Sequence, residues 1–317
     1  MRVWKNTPKD ALLLGYSVAQ LVVTLWLATV WEESSLLWKV ASTAGIAVLM
    51  SYNIIVVSHL FTHVPWFTSV RLNAMVSLLN SVNIAQSVQA YHLTHVRNHH
   101  RFNNDPVGED GATRDLSSTY RDGKDGEHAP LLRYAVGGAL DSLKNRAREL
   151  SYVYRLWRVG DDEHELQSLA SRREPRRSRE LLQVRADRAA YCLSIVLFAA
   201  VSWQWALLSY LPATFLALTM VNVQNYYRHY GADPGDRAAD SVSHYSRLYN
   251  KLTFNDGYHQ EHHLSPNSHW SQLPTVRERF RDRLDGRTRI ISPVPAMLGF
   301  LHTRRSLLHH DSVGEPR

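Results

Sequence analysis

Apolar residues are gathered into long runs, separated by stretches rich in arginine and aspartate. Two runs near the N-terminus, at about 11–31 and 36–58, are each close to the ~20 residues that an α-helix needs to cross a bilayer. Two more runs, at about 189–210 and 212–229, are joined by a very short link. The pattern predicts four transmembrane helices in two hairpins, and the alternative is a soluble protein with four buried core helices.

The basic residues predict the orientation of these spans. Arg2, Lys5 and Lys9 precede the first span, whereas Glu32 and Glu33 occupy the link to the second. The long central segment carries nine further arginines: Arg146, Arg148, Arg155, Arg158, Arg172, Arg173, Arg176, Arg177 and Arg179. Because cytoplasmic segments carry an excess of Lys and Arg, we expect the N-terminus, the centre and the C-terminus to be cytoplasmic.

The predicted fold class is therefore an all-α integral membrane protein with four transmembrane helices in two hairpins. A single domain covers 1–317, with a helical cytoplasmic cap formed by 92–188 and 230–317. The segment 63–92 is apolar but interrupted by polar residues, which predicts a helix lying in or dipping into the cytoplasmic leaflet. The segment 131–157 reads as an amphipathic helix at the membrane interface.

The amino-acid composition excludes several kinds of metal site, redox domain and partner. The mean hydropathy of -0.29 resembles that of a soluble protein, but this average hides the bunching of apolar residues. The single cysteine, Cys192, lies in an apolar run, which excludes a disulfide framework, a cysteine zinc site and a fused rubredoxin or ferredoxin. The net charge of +7 comes without a nucleic-acid-binding motif, so we expect no nucleic-acid partner. No cleavable signal peptide is predicted.

The chain has 17 histidines, and many of them are concentrated in four clusters. HLFTH (59–63) and NYYRH (225–229) end the second and fourth predicted spans, while HVRNHH (95–100) and HQEHH (259–263) lie in the predicted cap. Histidines four residues apart on a helix point toward the same spot. The predicted topology, drawn without these residues, places all four clusters on the cytoplasmic side. The clusters supply nine imidazoles: His59, His63, His95, His99, His100, His229, His259, His262 and His263.

Nine imidazoles are too many for a mononuclear zinc site with its four ligands, and no cluster has the form of a zinc-protease motif. They fit two metal ions with open positions for O2 or water. Imidazole ligands suit iron, copper, zinc and nickel, so the ligands alone do not name the metal. Bis-histidine ligation of a haem would leave most of the nine histidines without a metal-binding role. A membrane metal transporter would need polar groups along its spans, where Gln20 and Asn53 are the main ones.

Other residues near the clusters are candidates for orienting the metal ligands, because ligating imidazoles usually donate their second nitrogen to a carboxylate or carbonyl. These candidates are His92, Asp105, Asp236, Asp256 and Glu261. A surface role is expected instead for three histidines of the C-terminal tail: His302, His309 and His310.

The clusters resemble the histidine boxes of the membrane fatty acid desaturase superfamily, which includes acyl desaturases, acyl and sterol hydroxylases, carotenoid ketolases and alkane hydroxylases. HLFTH, HVRNHH and HQEHH match its three boxes, and HHLSPNSHWSQLP is similar to the usual continuation of the last box. Asn225 with His229 resembles an extra ligand element of stearoyl-CoA desaturases, and NYYRHYG resembles a motif of bacterial alkane hydroxylases. The resemblance covers about 59–274.

The resemblance implies that the nine histidines hold two iron ions, with O2 as co-substrate, and that Asn225 holds a water on the metal. It further implies oxidation of an unactivated C–H bond in a fatty acyl chain. We expect desaturation, and the alternatives are hydroxylation and oxidative decarboxylation to a terminal alkene. The carrier of the acyl group stays open among a free acid, a CoA thioester, an acyl carrier protein thioester and a lipid.

The predicted partners follow from the same resemblance. Electrons should come from a separate donor, such as a ferredoxin or a cytochrome b5 type protein, because no carrier module is fused to the chain. Membrane lipid surrounds the spans, and the expected location is a bacterial-type inner membrane. The arginines of the segment 172–179 are expected to contact anionic lipid or to dock an acidic partner.

Overall fold

A computed structural model describes residues 2–124, 126–154, 164–286, 289–290 and 310–311. The regular secondary structure of the described residues is helical, apart from a short antiparallel pairing of Arg289–Ile290 with His310–Asp311. His302 and His309 of the predicted surface tail lie outside the described residues, as does the end of the predicted helix 131–157.

The chain forms two compact units, one of Met1–Thr94 with Ala139–Thr219 and the other of His95–Gly138 with Met220–Arg317. The helices up to the middle of the chain are α1 (Asp10–Val30), α2 (Leu36–His63), α3 (Val70–Ile84), α4 (Val88–Thr94) and α5 (Gly138–Tyr154). The later helices are α6 (His164–Leu169), α7 (Arg176–Val201), α8 (Trp203–His229), α9 (Arg247–Leu252), α10 (His259–Leu264), α11 (Leu273–Arg279) and α12 (Arg281–Asp285).

Within the described part of the chain, three helices are long and apolar enough to cross a membrane: α1, α2 and α8. The third predicted span, 189–210, is not one continuous helix, because α7 ends at Val201 and the backbone of Ser202 is extended. The Ser202 hydroxyl accepts a hydrogen bond from the N–H of Trp205 and so starts α8. The helix break therefore lies at Ser202 rather than at residue 211.

Pro212 does not interrupt α8 as the sequence suggested. A π-helical turn at Ala206–Tyr210 directly precedes the α-helical segment Leu211–His229. Such a turn widens the helix and lets it continue through a residue that lacks a backbone N–H. The fourth predicted span thus begins at Trp203 rather than at 212, about two and a half helical turns earlier than expected.

Beside a buried apolar cluster that includes Ile46, Met50 and Phe198, the first unit buries several polar residues and exposes apolar ones. On α1, Ser17 and Gln20 are buried, whereas Val22 is 58% exposed. On α3, Asn80 is buried, whereas Met75 is 64% exposed. A helix that faces lipid has no reason to hide its apolar side chains and must satisfy its polar ones within the protein. Exposed apolar faces of this kind are what helices in contact with lipid need; whether the segment 63–92 lies in a leaflet stays a prediction.

The second unit holds a small aromatic core around the end of α8, where Tyr226 and Tyr227 pack against Leu131. Gly138 permits a close approach here, because a Cβ on it would lie 2.8 Å from the amide nitrogen of Asn222. This packing fixes the last turns of α8, which carry the histidine cluster at its C-terminus.

Candidate metal centre

The first unit contributes a histidine pair at the end of α2. His59 and His63 are one helical turn apart, with ring centroids 5.1 Å from each other. One nitrogen of each ring lies within 4.8 Å of the other. His92, predicted to orient a ligand, places its Nδ1 2.7 Å from the carbonyl oxygen of Thr62, which belongs to the same helix end.

The second cluster has an unexpected local geometry. His95–His99 forms a π-helical turn rather than the α-helical one that the spacing suggested. A π turn brings together residues that are five apart, and the Nε2 atoms of His95 and His100 are 3.2 Å apart. His99 is thereby directed to a different set of histidines, and one short segment serves two groups.

The first group within the second unit contains His95, His100 and His262. The Nε2 atoms of His262 and His100 are 3.1 Å apart, and one nitrogen from each of the three rings lies within 4.8 Å of the others. His262 comes from α10, so the group joins two distant parts of the sequence.

The second group contains His99, His229 and His263, again with one nitrogen of each ring within 4.8 Å of the others. All three are buried to 1% exposure or less. His259 adjoins this group, since its Nε2 lies 3.4 Å from Nε2 of His229. The end of α8 and the short helix α10 supply most of these nitrogens.

Asp115 supports the second group from outside. Its Oδ2 accepts a hydrogen bond from Nδ1 of His99 at 2.7 Å and another from the N–H of Asn104 at 2.7 Å. Burial acts to raise the pKa of Asp115, but the charge of His99 and these hydrogen bonds outweigh it and hold the pKa below its usual value. Burial lowers the pKa of His99, but the charge of Asp115 outweighs it, so the net shift is upward.

Asp240 supports the other two histidines of this group. Its backbone oxygen lies 3.0 Å from Nδ1 of His229, and its Oδ1 lies 3.6 Å from Nδ1 of His263. Burial raises the pKa of the Asp240 carboxyl to about 7. Because a carbonyl only accepts, Nδ1 of His229 must carry its proton, which leaves the lone pair on Nε2.

The residues present fit a metal ion. Nε2 of His99 and of His263 are buried and have no hydrogen-bond partner among the described residues. An unpartnered buried nitrogen is costly unless something else binds it. Imidazole nitrogens that share an ion at ~2.1 Å lie at most about 4.2 Å apart, so shifts of a few tenths of an ångström would bring this group around one ion. An all-imidazole donor set suits iron among other transition metals.

The predicted supporting carboxylates have other partners. Asp105 accepts a hydrogen bond from the N–H of Asp115 at 2.8 Å and so holds the loop that carries Asp115. Asp236 accepts from the N–H of Ala238 at 3.0 Å within a turn. Asp115 and Asp240, whose carboxylates lie beside His99 and His263, were not predicted. Asp115 is 16 residues from His99 in sequence, and no local sequence spacing predicts the contact.

Two further predicted acids brace the elements around the site. Asp256 forms a buried ion pair with Arg228, the residue before His229. Glu261, on the helix that carries His262, accepts a hydrogen bond from the Tyr245 hydroxyl at 2.7 Å. Both acids thus hold ligand-bearing segments in place.

Asn225 lies on α8 one turn before His229 and faces the loop behind His99. Its Nδ2 donates to the Tyr134 hydroxyl at 2.6 Å and to the carbonyl oxygen of Ser117 at 3.2 Å. The hydroxyl of Ser117 in turn lies 3.3 Å from Nδ1 of His99. Asn225 therefore connects α8 to the Asp115 loop.

Comparison with known proteins gives one match. A family model described as "Fatty acid desaturase" matches residues 34–295, which include all four histidine clusters. No curated protein and no solved structure matches the chain.

Proposed function

Because the chain belongs to the fatty acid desaturase family, a family of membrane oxidoreductases, we propose that it holds two iron ions and uses O2 to desaturate a fatty acyl chain. The observation that carries this proposal is the pair of three-histidine groups in the second unit. Five of the six histidines match the family's boxes and His229 matches the extra element, and Nε2 of His99 and of His263 are buried without a hydrogen-bond partner in the described part of the chain.

We propose nine iron ligands, which are the nine histidines predicted from the sequence: His59, His63, His95, His99, His100, His229, His259, His262 and His263. Breaking an unactivated methylene C–H bond needs a strong oxidant, which iron-activated oxygen supplies when the metal is bound. Asp115 and Asp240 keep the ring nitrogens of their histidines directed inward. Asn225 holds a water beside the metal in this proposal.

The reaction also needs a positioned substrate and a supply of electrons. An alkyl chain offers almost no polar handle, so its position must be fixed by a shaped apolar surface in the membrane-embedded part. Electrons come from a separate carrier of the ferredoxin or cytochrome b5 type on the cytoplasmic side. Arg172, Arg173, Arg176 and Arg179 are exposed there, and they suit anionic lipid or an acidic partner.

Fatty acid profiling by mass spectrometry, in a host with and without the expressed chain, tests this function. We expect acyl products two hydrogens lighter than their precursors, and we expect them to vanish in the His262→Ala variant. The exposed-surface variant Asp141→Asn is the matched control and should behave as the wild type. Hydroxylated acids or terminal alkenes would replace desaturation with one of the other reactions. No change in any acyl product, with iron and reductant supplied, would contradict the proposal.

A further inference from the structure

Asn53 carries a fully buried amide in the mostly apolar middle of α2. It begins the π-helical turn Asn53–Ser58, which runs directly into His59–His63. A π turn is a rare and irregular element that is often found at functional sites. The hydrogen bonds around His59 and His63 do not by themselves require a π turn at this place.

Ser58 closes the turn with a side-chain hydrogen bond. Its hydroxyl donates to Oδ1 of Asn53 at 2.7 Å, across five residues. In an α-helix, side chains five residues apart point about 140° away from each other, because each residue advances about 100°. A π turn brings residues with this spacing together. The bond between Ser58 and Asn53 therefore favours the π turn over a regular α-helical one.

Two neighbouring helices hold Asn53 from the other side. Its Nδ2 donates to Oε1 of Gln20 on α1 at 2.7 Å and to Oδ1 of Asn80 on α3 at 3.3 Å. Gln20 in turn donates to the carbonyl oxygen of Asn83 at 3.0 Å. In an apolar interior each of these polar groups is costly without a partner, so the set favours one arrangement of the turn.

The turn determines the direction of the residues that follow it. It adds one residue to the helix while the segments on both sides keep their facing. If the same sequence relaxed into a regular α-helix, every residue after the turn would rotate by about 100° around the axis. His59 and His63 would then face a different part of the first unit.

We propose that Asn53 and Ser58, held by Gln20 and Asn80, are positioning residues that set the rotational direction of His59 and His63. The proposal rests on the proposed function only in that these two histidines bind iron. It assigns a task to the polar residues that stand out within the predicted spans.

The test compares iron binding in Ser58→Ala with that in a double variant that also lacks Val57. Removing the hydroxyl frees the turn, so we expect iron affinity to fall by about 10- to 100-fold and the Mössbauer spectrum to change. Deleting Val57 in the same background removes the extra residue, so a regular α-helix restores the original direction. Iron and spectrum should return, although a buried side chain is lost.

Deletion of Gly45 is the matched control. Gly45 is exposed and a Cβ there would meet nothing within 4 Å, so its loss removes no buried side chain. It lies in the regular part of α2, however, and its deletion rotates all later residues, buried ones included. We expect this variant to lose iron, because no π turn adjoins the deletion to take up the rotation.

The outcomes separate this proposal from the proposed function. Normal iron content and an unchanged spectrum in Ser58→Ala, with only a lower Tm, would overturn it. If Ser58→Ala does not fold, Gln20→Met loosens the same amide from α1, and the same two results decide. If the wild type holds no iron, the function fails instead. Structures of the metal-free variants then decide, with a rotated His59 in Ser58→Ala supporting the proposal and an unmoved one overturning it.

Discussion

At the scale of single residues, a substitution of Asp115 tests whether iron affinity can be lowered while the fold is kept. Its carboxylate orients His99, and removal of such outer partners costs about 10- to 100-fold in metal affinity. We therefore expect Asp115→Asn to bind iron correspondingly more weakly in a chelator competition. The exposed-residue variant Asp141→Asn should match the wild type. Equal iron affinity in the two variants would mean that Asp115 only stabilises its loop.

Substitutions at Asn225 and His229 distinguish iron binding from catalysis, because iron content and turnover should respond differently. We expect Asn225→Ala to keep most of its iron and lose most of its turnover, and His229→Ala to lose iron as well. An amide is a weak ligand for iron but can hold a metal-bound water. Iron content and product formation, measured side by side, check this.

Tyr134→Phe is the control for the structural role of Asn225. It removes the hydroxyl that bonds the Asn225 amide and leaves Asn225 itself in place. If Asn225 acts only by joining α8 to the loop, the two variants should show similar and modest losses. Near-normal turnover in Asn225→Ala would remove the water-holding role altogether.

The histidines that the structure brings together could be predicted because they come in short clusters with a recognisable spacing. The carboxylates behind them could not. Asp115 reaches His99, and Asp240 reaches His229, through the folding of loops, and nothing in the local sequence encodes such a contact. The predicted acids were chosen for closeness in sequence, which is a poor guide where a chain turns back on itself.

At the scale of secondary-structure elements, the π turns are what the sequence did not reveal. A spacing of four residues predicts a shared helix face, yet the π turn at His95–His99 also brings Nε2 of His100 to 3.2 Å from Nε2 of His95. The same kind of turn carries α8 past Pro212. Apolar runs predict that a helix exists, but a single inserted residue within it depends on tertiary hydrogen bonds.

Immersion of α1 in lipid can be tested by placing a charge on its outer face. Val22 lies in the middle of the helix and is 58% exposed, so Val22→Lys puts an ammonium group into hydrocarbon at a cost of about 2.5–3.5 kcal/mol. We expect a marked drop in membrane-inserted protein on quantitative blotting. Leu248→Lys is the control, since Leu248 is 65% exposed in the predicted cap and should tolerate the charge. Equal yields would contradict immersion of α1.

At the scale of the whole molecule, the orientation of the chain can be tested with reporter fusions. A reporter after Glu33 should be extracytoplasmic and one after Arg177 cytoplasmic, because basic residues flank the first and third predicted spans while the first link is acidic. Reports from the same compartment would mean that the number of spans between the two sites is wrong.

The proposed function depends on a pair of irons bound by the histidine groups. Elemental analysis of protein purified after iron-supplemented expression tests it most directly, because the ligand nitrogens alone suit several metals. We predict about two irons per chain and little zinc, in keeping with nine imidazoles where a zinc site would need four ligands. About one zinc per chain with no iron would contradict the account.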